Sequence, residues 1–207
     1  MYQQFQIQNL EKMKRIVILF GILGLLSNGY AQNNKPTSKI ERVVIEYKGK
    51  KVKARQLTVS SEIPMDLESA WANVKTPALL QFVAKGMIRF KSVNGEFPKQ
   101  WEVGQSVGAK MRVFGFIPYG GTHSLFIKEV DNDNYKIVAQ EWNKRAKVWN
   151  HDVVLRDLGN GKIYFEDSIT IYGGAMTGII TSFSKRFYTH RQKRWQIVAK
   201  EKLNFAE

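Results

Sequence analysis

The residues whose types and spacing could do chemistry are His151 and Asp167, either side of Gly159-Asn160-Gly161. If those three residues close a hairpin, Val153 pairs with Asp167, Leu155 with Phe165 and His151 with Ile169, and all six side chains share one face. The carboxylate can then orient the imidazole as in a general base, or only pin the strand register through a hydrogen bond. Arg191 is the third candidate. It follows Phe187 by about one turn on a long helical run, and it can meet an anionic group in an interior space or close an ion pair at the helix flank.

Other chemistries are excluded or weak. Glu166 beside Asp167 suggests a two-carboxylate site, but consecutive residues of a strand point to opposite faces. His123, His151 and His190 show no ligand spacing, and with 0 Cys there is neither a thiolate metal site nor a cysteine nucleophile, so no metal is expected. Gly173-Gly174-Ala175-Met176-Thr177-Gly178 resembles a dinucleotide fingerprint, yet no strand follows its helix, and no cofactor is expected. G-x-S-x-G, Walker A and H-E-x-x-H motifs are absent.

The elements that must position these residues follow from periodicity. Residues 40–63 alternate as two strands around Gly49. Pro64 and Asp66 open a short helix through Leu67, Ala70, Trp71 and Val74, and Thr76-Pro77 opens a second through Val83. From Ile88 to Tyr172 about six antiparallel strands are expected, with turns at Asn94-Gly95, Val103-Gly104, Pro118 to Gly121, Asp131 to Asn134, Lys144-Arg145 and Gly159 to Gly161. After Gly173-Gly174 a helix of roughly 25 residues runs to about Lys202, with Met176, Ile180, Phe183 and Phe187 forming a stripe that continues through Arg191, Arg194 or Trp195, and Val198. The fold class is α+β: a curved antiparallel sheet of about seven strands, two short helices and one long C-terminal helix. Such a sheet gripped by one helix tends to leave a cavity.

Composition narrows the class further. With 12% aromatic and 43% hydrophobic residues the chain is not disordered, despite a formal charge of +14. Lys12-Met13-Lys14-Arg15, the apolar run Ile16 to Leu26 and small residues before Ala31 read as a signal peptide over 1–31, with Met13 an alternative start. Eleven apolar residues fall short of a membrane span, though a retained anchor stays open. Residues 32–39 read as a flexible leader and 40–203 as one domain. Removing 1–31 takes away Lys12, Lys14, Arg15 and Glu11 and leaves +12, so the basicity belongs to the exported domain. That placement, periplasmic or extracellular, argues against a nucleic-acid partner.

The element order and several strings resemble the START-like or SRPBCC superfamily, the helix-grip fold of Bet v 1-type allergens, START domains and polyketide cyclases. The strings are Ile63-Pro64-Met65-Asp66-Leu67-Glu68-Ser69-Ala70-Trp71, Trp149-Asn150-His151 with Asp167 to Gly173, and Phe187 to Trp195. The resemblance runs from about Val52 to Lys200 and implies fold more than activity, because the superfamily hosts carriers, hydrolases, cyclases and regulators.

The leading expectation is an exported monomer that binds a hydrophobic or amphipathic small molecule, a lipid by resemblance, between sheet and helix. His151, Asp167 and Arg191 meet its polar end, and Trp149, Phe165, Ile169, Phe183 and Phe187 line its apolar body. One alternative is a cyclase- or hydrolase-like enzyme with His151 as base oriented by Asp167. The other is an envelope protein held to an anionic membrane surface by Lys185, Arg186 and Lys193.

Overall fold

Turn chemistry and alternation build eight strands rather than about seven. The computed structural model describes residues 35–206, so the stretch 1–31 read as a signal peptide lies outside the described residues. In chain order the elements are β1 (Thr37–Tyr47), β2 (Lys50–Ile63), α1 (Leu67–Val74), α2 (Pro77–Ala84), β3 (Ile88–Ser92) and β4 (Ser106–Val113). There follow β5 (Ile117–Asp131), β6 (Lys136–Trp142), β7 (Val148–Gly159), β8 (Lys162–Tyr172), a 3₁₀ turn at Gly174–Met176 and α3 (Thr177–Glu201). β1 begins inside the stretch 32–39 read as a leader, because Thr37, Ser38 and Lys39 pair with Ser60, Val59 and Thr58.

All strands lie in one antiparallel sheet of order β1-β2-β8-β7-β6-β5-β4-β3. After β2 the chain crosses to the far edge through α1 and α2, then meanders back until β8 lands beside β2. Both short helices start as their sequences dictate. The Asp66 carboxylate accepts from the Ser69 N–H at 2.8 Å, and the Thr76 hydroxyl accepts from the Leu79 N–H at 3.1 Å, with Pro77 in the first turn. α3 then packs against β2, β8 and α2.

Two turns differ from the sequence reading. Pro118 to Gly121 is not a turn but part of β5, which reverses from β4 at Phe114-Gly115 instead, both with positive φ. Met111 pairs with Tyr119 and Lys110 with Thr122, so Gly120 and Gly121 form a bulge with φ of 69° and 75°. A Cβ at Gly120 would stand 2.5 Å from the Asn143 Oδ1. The bulge therefore makes room for the Asn143 side chain. The β7–β8 hairpin has the expected register, Val153 with Asp167 and Leu155 with Phe165, but it closes through the two-residue turn Asn160-Gly161 with a bulge at Leu158.

The interior holds two apolar clusters. One gathers Trp71, Leu155, Ile163, Phe165, Trp195 and Val198, and the other Leu57, Met111, Trp149, Ile169, Ile180 and Phe187. The inner row of each central element changes from one cluster to the other through a polar residue. On β8 it is Asp167 between Phe165 and Ile169, on β7 His151 between Val153 and Trp149, on β2 Ser61 between Ile63 and Val59. On α3 it is Arg191 and Gln192 between Tyr188 and Trp195. A polar belt divides the core.

Candidate functional site

The belt is built from diagonal neighbours on one face of the sheet. Leu125 opposes Glu141, Ala139 opposes His151 and Ile169 opposes His151 from the other side, which puts His123, Glu141, His151 and Asp167 each one diagonal step from the next across β5, β6, β7 and β8. The hydrogen bonds follow that line. Asn143 Nδ2 donates to His123 Nδ1 (3.1 Å), and His123 Nε2 donates to Glu141 Oε2 (2.7 Å). His151 Nδ1 stands 3.5 Å from Glu141 Oε1, and its Nε2 donates to Asp167 Oδ1 (2.9 Å). Gln192 Nε2 donates to Asp167 Oδ2 (2.9 Å), and Ser61 Oγ donates to Gln192 Oε1. Asn143 is itself fixed, since its Oδ1 accepts from the Arg145 and Ala146 N–H groups at 2.8 Å each.

Electrostatics follow from the pairing. Burial alone pushes the Glu141 carboxyl up, but hydrogen bonds from His123 and His151 and the attraction of both rings outweigh it and hold the pKa at about 2. For His151 burial opposes the charged form, while hydrogen bonds to Asp167 and Glu141 and the Asp167 charge prevail and raise its pKa. Desolvation, reinforced by the Glu141 charge, raises the Tyr188 phenol well above its ordinary value. Tyr188 therefore keeps its proton, and its oxygen already accepts from Trp149 Nε1 at 2.9 Å. That leaves its O–H free to donate.

A cavity opens against the belt. Its lining includes His123, Glu141, His151, Trp149, Tyr188, Phe187 and Arg191 on the polar side, and Leu79, Ile88, Met111, Ile127, Ala139 and Val153 on the apolar side. Half-buried Leu80, Phe90, Phe97, Val107 and Leu125 form its outer rim. The free volume is about 80 Å³. That is below the ~150 Å³ of an apolar cavity that takes up benzene, so any occupant larger than a few waters requires the rim to move.

The eight expected site residues divide. His151, Arg191, Trp149 and Phe187 line the cavity. Asp167 is fully buried behind His151 and Arg191. Phe165 does not reach the cavity, because its ring packs on Trp195 at 4.9 Å between centroids in the first cluster. Ile169 is fully buried in the second cluster, and Phe183 is half-buried against its outside, displaced because α3 turns Ser184 rather than Phe183 inward. Glu141, His123, Tyr188 and Gln192 were not foreseen. His123 and Glu141 become visible once β5 is read through Gly120-Gly121 and β6 is read for the face shared by Ile137, Ala139 and Glu141. Among the described residues no cluster of His, Cys, Asp and Glu could hold a metal ion.

An open antiparallel sheet gripped by a long C-terminal helix, with a half-polar cavity between, defines the helix-grip class of α+β proteins. A START superfamily protein from Mycobacterium smegmatis superposes with a TM-score of 0.55 at 6% identity, over 72% of this chain and 99% of its own. Zhui aromatase/cyclase from Streptomyces sp. R1128 gives 0.55 at 6%, over 72% and 95%. Protein Ms6760 from Mycobacterium smegmatis gives 0.52 at 12%, over 69% and 89%. No protein-family model and no curated protein matches the chain. The chain thus has the START-like, SRPBCC-type fold.

Proposed function

We propose that this protein binds a compact, mainly apolar molecule carrying an anionic or hydrogen-bonding end, held between the sheet and α3. The observation that carries the reading is Arg191. Its side chain lines the cavity at 6% exposure, its closest carboxylate approach is Nη2 to Asp167 Oδ1 at 3.6 Å, and its Nε is buried with no protein partner. A buried guanidinium with a donor unspent costs free energy unless a ligand or water accepts from it. Tyr188 offers a second donor beside it. A lipid is the larger version of such a ligand and requires the rim at Leu80, Phe90 and Phe97 to open.

His151 acts in this reading as a fixed donor, as the ligand-binding expectation has it, rather than as the base of the enzyme alternative. Both ring nitrogens face carboxylates, Nε2 at 2.9 Å from Asp167 and Nδ1 at 3.5 Å from Glu141, so they are engaged by the protein's own side chains rather than offered to a substrate's proton. We place the protein outside the cytoplasm on the sequence of residues 12–31, and N-terminal sequencing of the mature chain, starting at Gln32, checks that part.

The test is to purify the protein under native conditions, extract it with organic solvent and search by mass spectrometry for one stoichiometric small molecule. A bound acid or phenol supports the reading. An empty protein whose melting temperature responds to no aromatic acid contradicts it.

A further inference from the structure

The reversal between β4 and β5 exposes apolar side chains in succession. Phe114 is 56% exposed, Phe116 68% and Ile117 46%, around a turn whose Phe114 and Gly115 have φ of 51° and 81°. Water-exposed aromatics on a strand reversal gain nothing for folding. Their cost points to a partner.

The charges beside the tip point the same way. In the β3–β4 ladder Arg89 opposes Arg112 and Lys91 opposes Lys110, and all four side chains are exposed. Like charges directly opposite destabilise a sheet. Lys85, Arg89 and Lys91 share a surface groove with Phe114, and among the described residues none of these five cations makes an ion pair. The sequence has no acidic residue between Glu68 and Glu96 or between Glu102 and Glu129. The far end of the strands, at the β5–β6 turn and the β7–β8 hairpin, mixes Asp131, Asp133 and Asp157 with Lys136, Arg156 and Lys162. The unbalanced positive charge on β3 and β4 lies at the apolar tip.

The geometry points to an anionic phospholipid bilayer as the partner of this end: Phe114, Phe116 and Ile117 enter the headgroup region while Arg89, Lys91, Lys110 and Arg112 face lipid phosphates. A polyphosphate strand would match the cations but leave Ile117 and the Phe116 ring without a use. The contact proposed is a peripheral one, made by side chains of the strand reversal. The surface is distinct from the outer face of α3, where Lys185, Arg186 and Lys193 lie exposed.

With 0 native Cys, Phe116→Cys labelled with an environment-sensitive dye reports on the tip alone, and Leu158→Cys in the β7–β8 hairpin is the control. The full chain is titrated with vesicles of phosphatidylcholine alone and with a phosphatidylcholine and phosphatidylglycerol mixture. The expected result is a several-fold rise in emission at position 116 and none at 158, only with the anionic vesicles, weakened at least tenfold by 0.5 M salt. Phe114→Ser with Ile117→Ser, and separately Arg89→Glu with Lys110→Glu, each weaken it at least tenfold with melting temperatures kept. Lys185→Glu with Arg186→Glu leaves it within twofold. The proposal is overturned by equal response to neutral vesicles, by no response at 116, by loss through the α3 variant alone, or by tighter binding to a nucleic acid than to vesicles.

Discussion

The cluster around Trp195 and the polar belt beside it are covered by the same helix and the same strands, yet they do opposite things. Trp195, Phe165 and Leu155 fill their space and are almost wholly buried, so their transfer from water stabilises the fold. The belt buries Glu141, His151, Asp167 and Arg191 a few ångströms away, where charges are tolerated only because nearly every one has a partner. Similar contacts with well-packed apolar residues would hold α3 on the sheet at least as well. That difference is why the proposed ligand is placed against the belt, beside Arg191, whose Nε has no protein partner.

The largest effect expected from breaking this comparison is in the apolar cluster. Trp195→Ala should cost about 3–5 kcal/mol in urea denaturation while leaving the belt's titration behaviour unchanged. Asp167→Asn should cost about 1.5–3 kcal/mol, since charge-assisted bonds to His151 and Gln192 and the Arg191 counter-charge weaken together, and the His151 pKa should fall by NMR titration. Filling tests separate closed from open space within one apolar cluster. Ala70→Val, away from the cavity, should lose about 1–3 kcal/mol, whereas Ala139→Val, in the same cluster but facing the cavity, should change stability by less than about 1 kcal/mol.

The belt's pairing also sets how stability depends on pH. Glu141 is depressed, so its contribution is present above the ordinary carboxyl value of 4.5 and is lost as pH falls toward about 2. His151 is raised, so its contribution is present below the ordinary imidazole value of 6.5 and is lost as pH rises through the higher folded value. Melting temperature should therefore peak between about 4.5 and 6.5, and Glu141→Gln should flatten the acid limb.

What was legible in the sequence was what local chemistry decides. Asp66 and Thr76-Pro77 announce their helices, the glycine-rich turn sets the β7–β8 register, and that register brings His151 to Asp167. The rest depends on contacts distant in sequence. Gly120-Gly121 looks like a turn because paired glycines usually make one, and only the Asn143 side chain packed against it shows why a bulge is needed there. Misplacing that turn hid His123, and with it the line that leads through Glu141. On α3 the apolar stripe suggested Phe183, but Thr181, Ser184 and Gln192 take inward positions because they bond to carbonyls of their own helix or to the belt. An amphipathic pattern does not reveal an inward face that is half polar.

The most direct measurement is a comparison of benzoate with toluene, followed at the Trp149 indole N–H, which donates to Tyr188 beside the cavity. The account predicts that benzoate shifts this resonance and binds at least tenfold more tightly than toluene, a difference of about 1.4 kcal/mol, and that Arg191→Met removes the difference while Arg191→Lys keeps part of it. Equal binding of the two, or a benzoate preference that survives Arg191→Met, would contradict it.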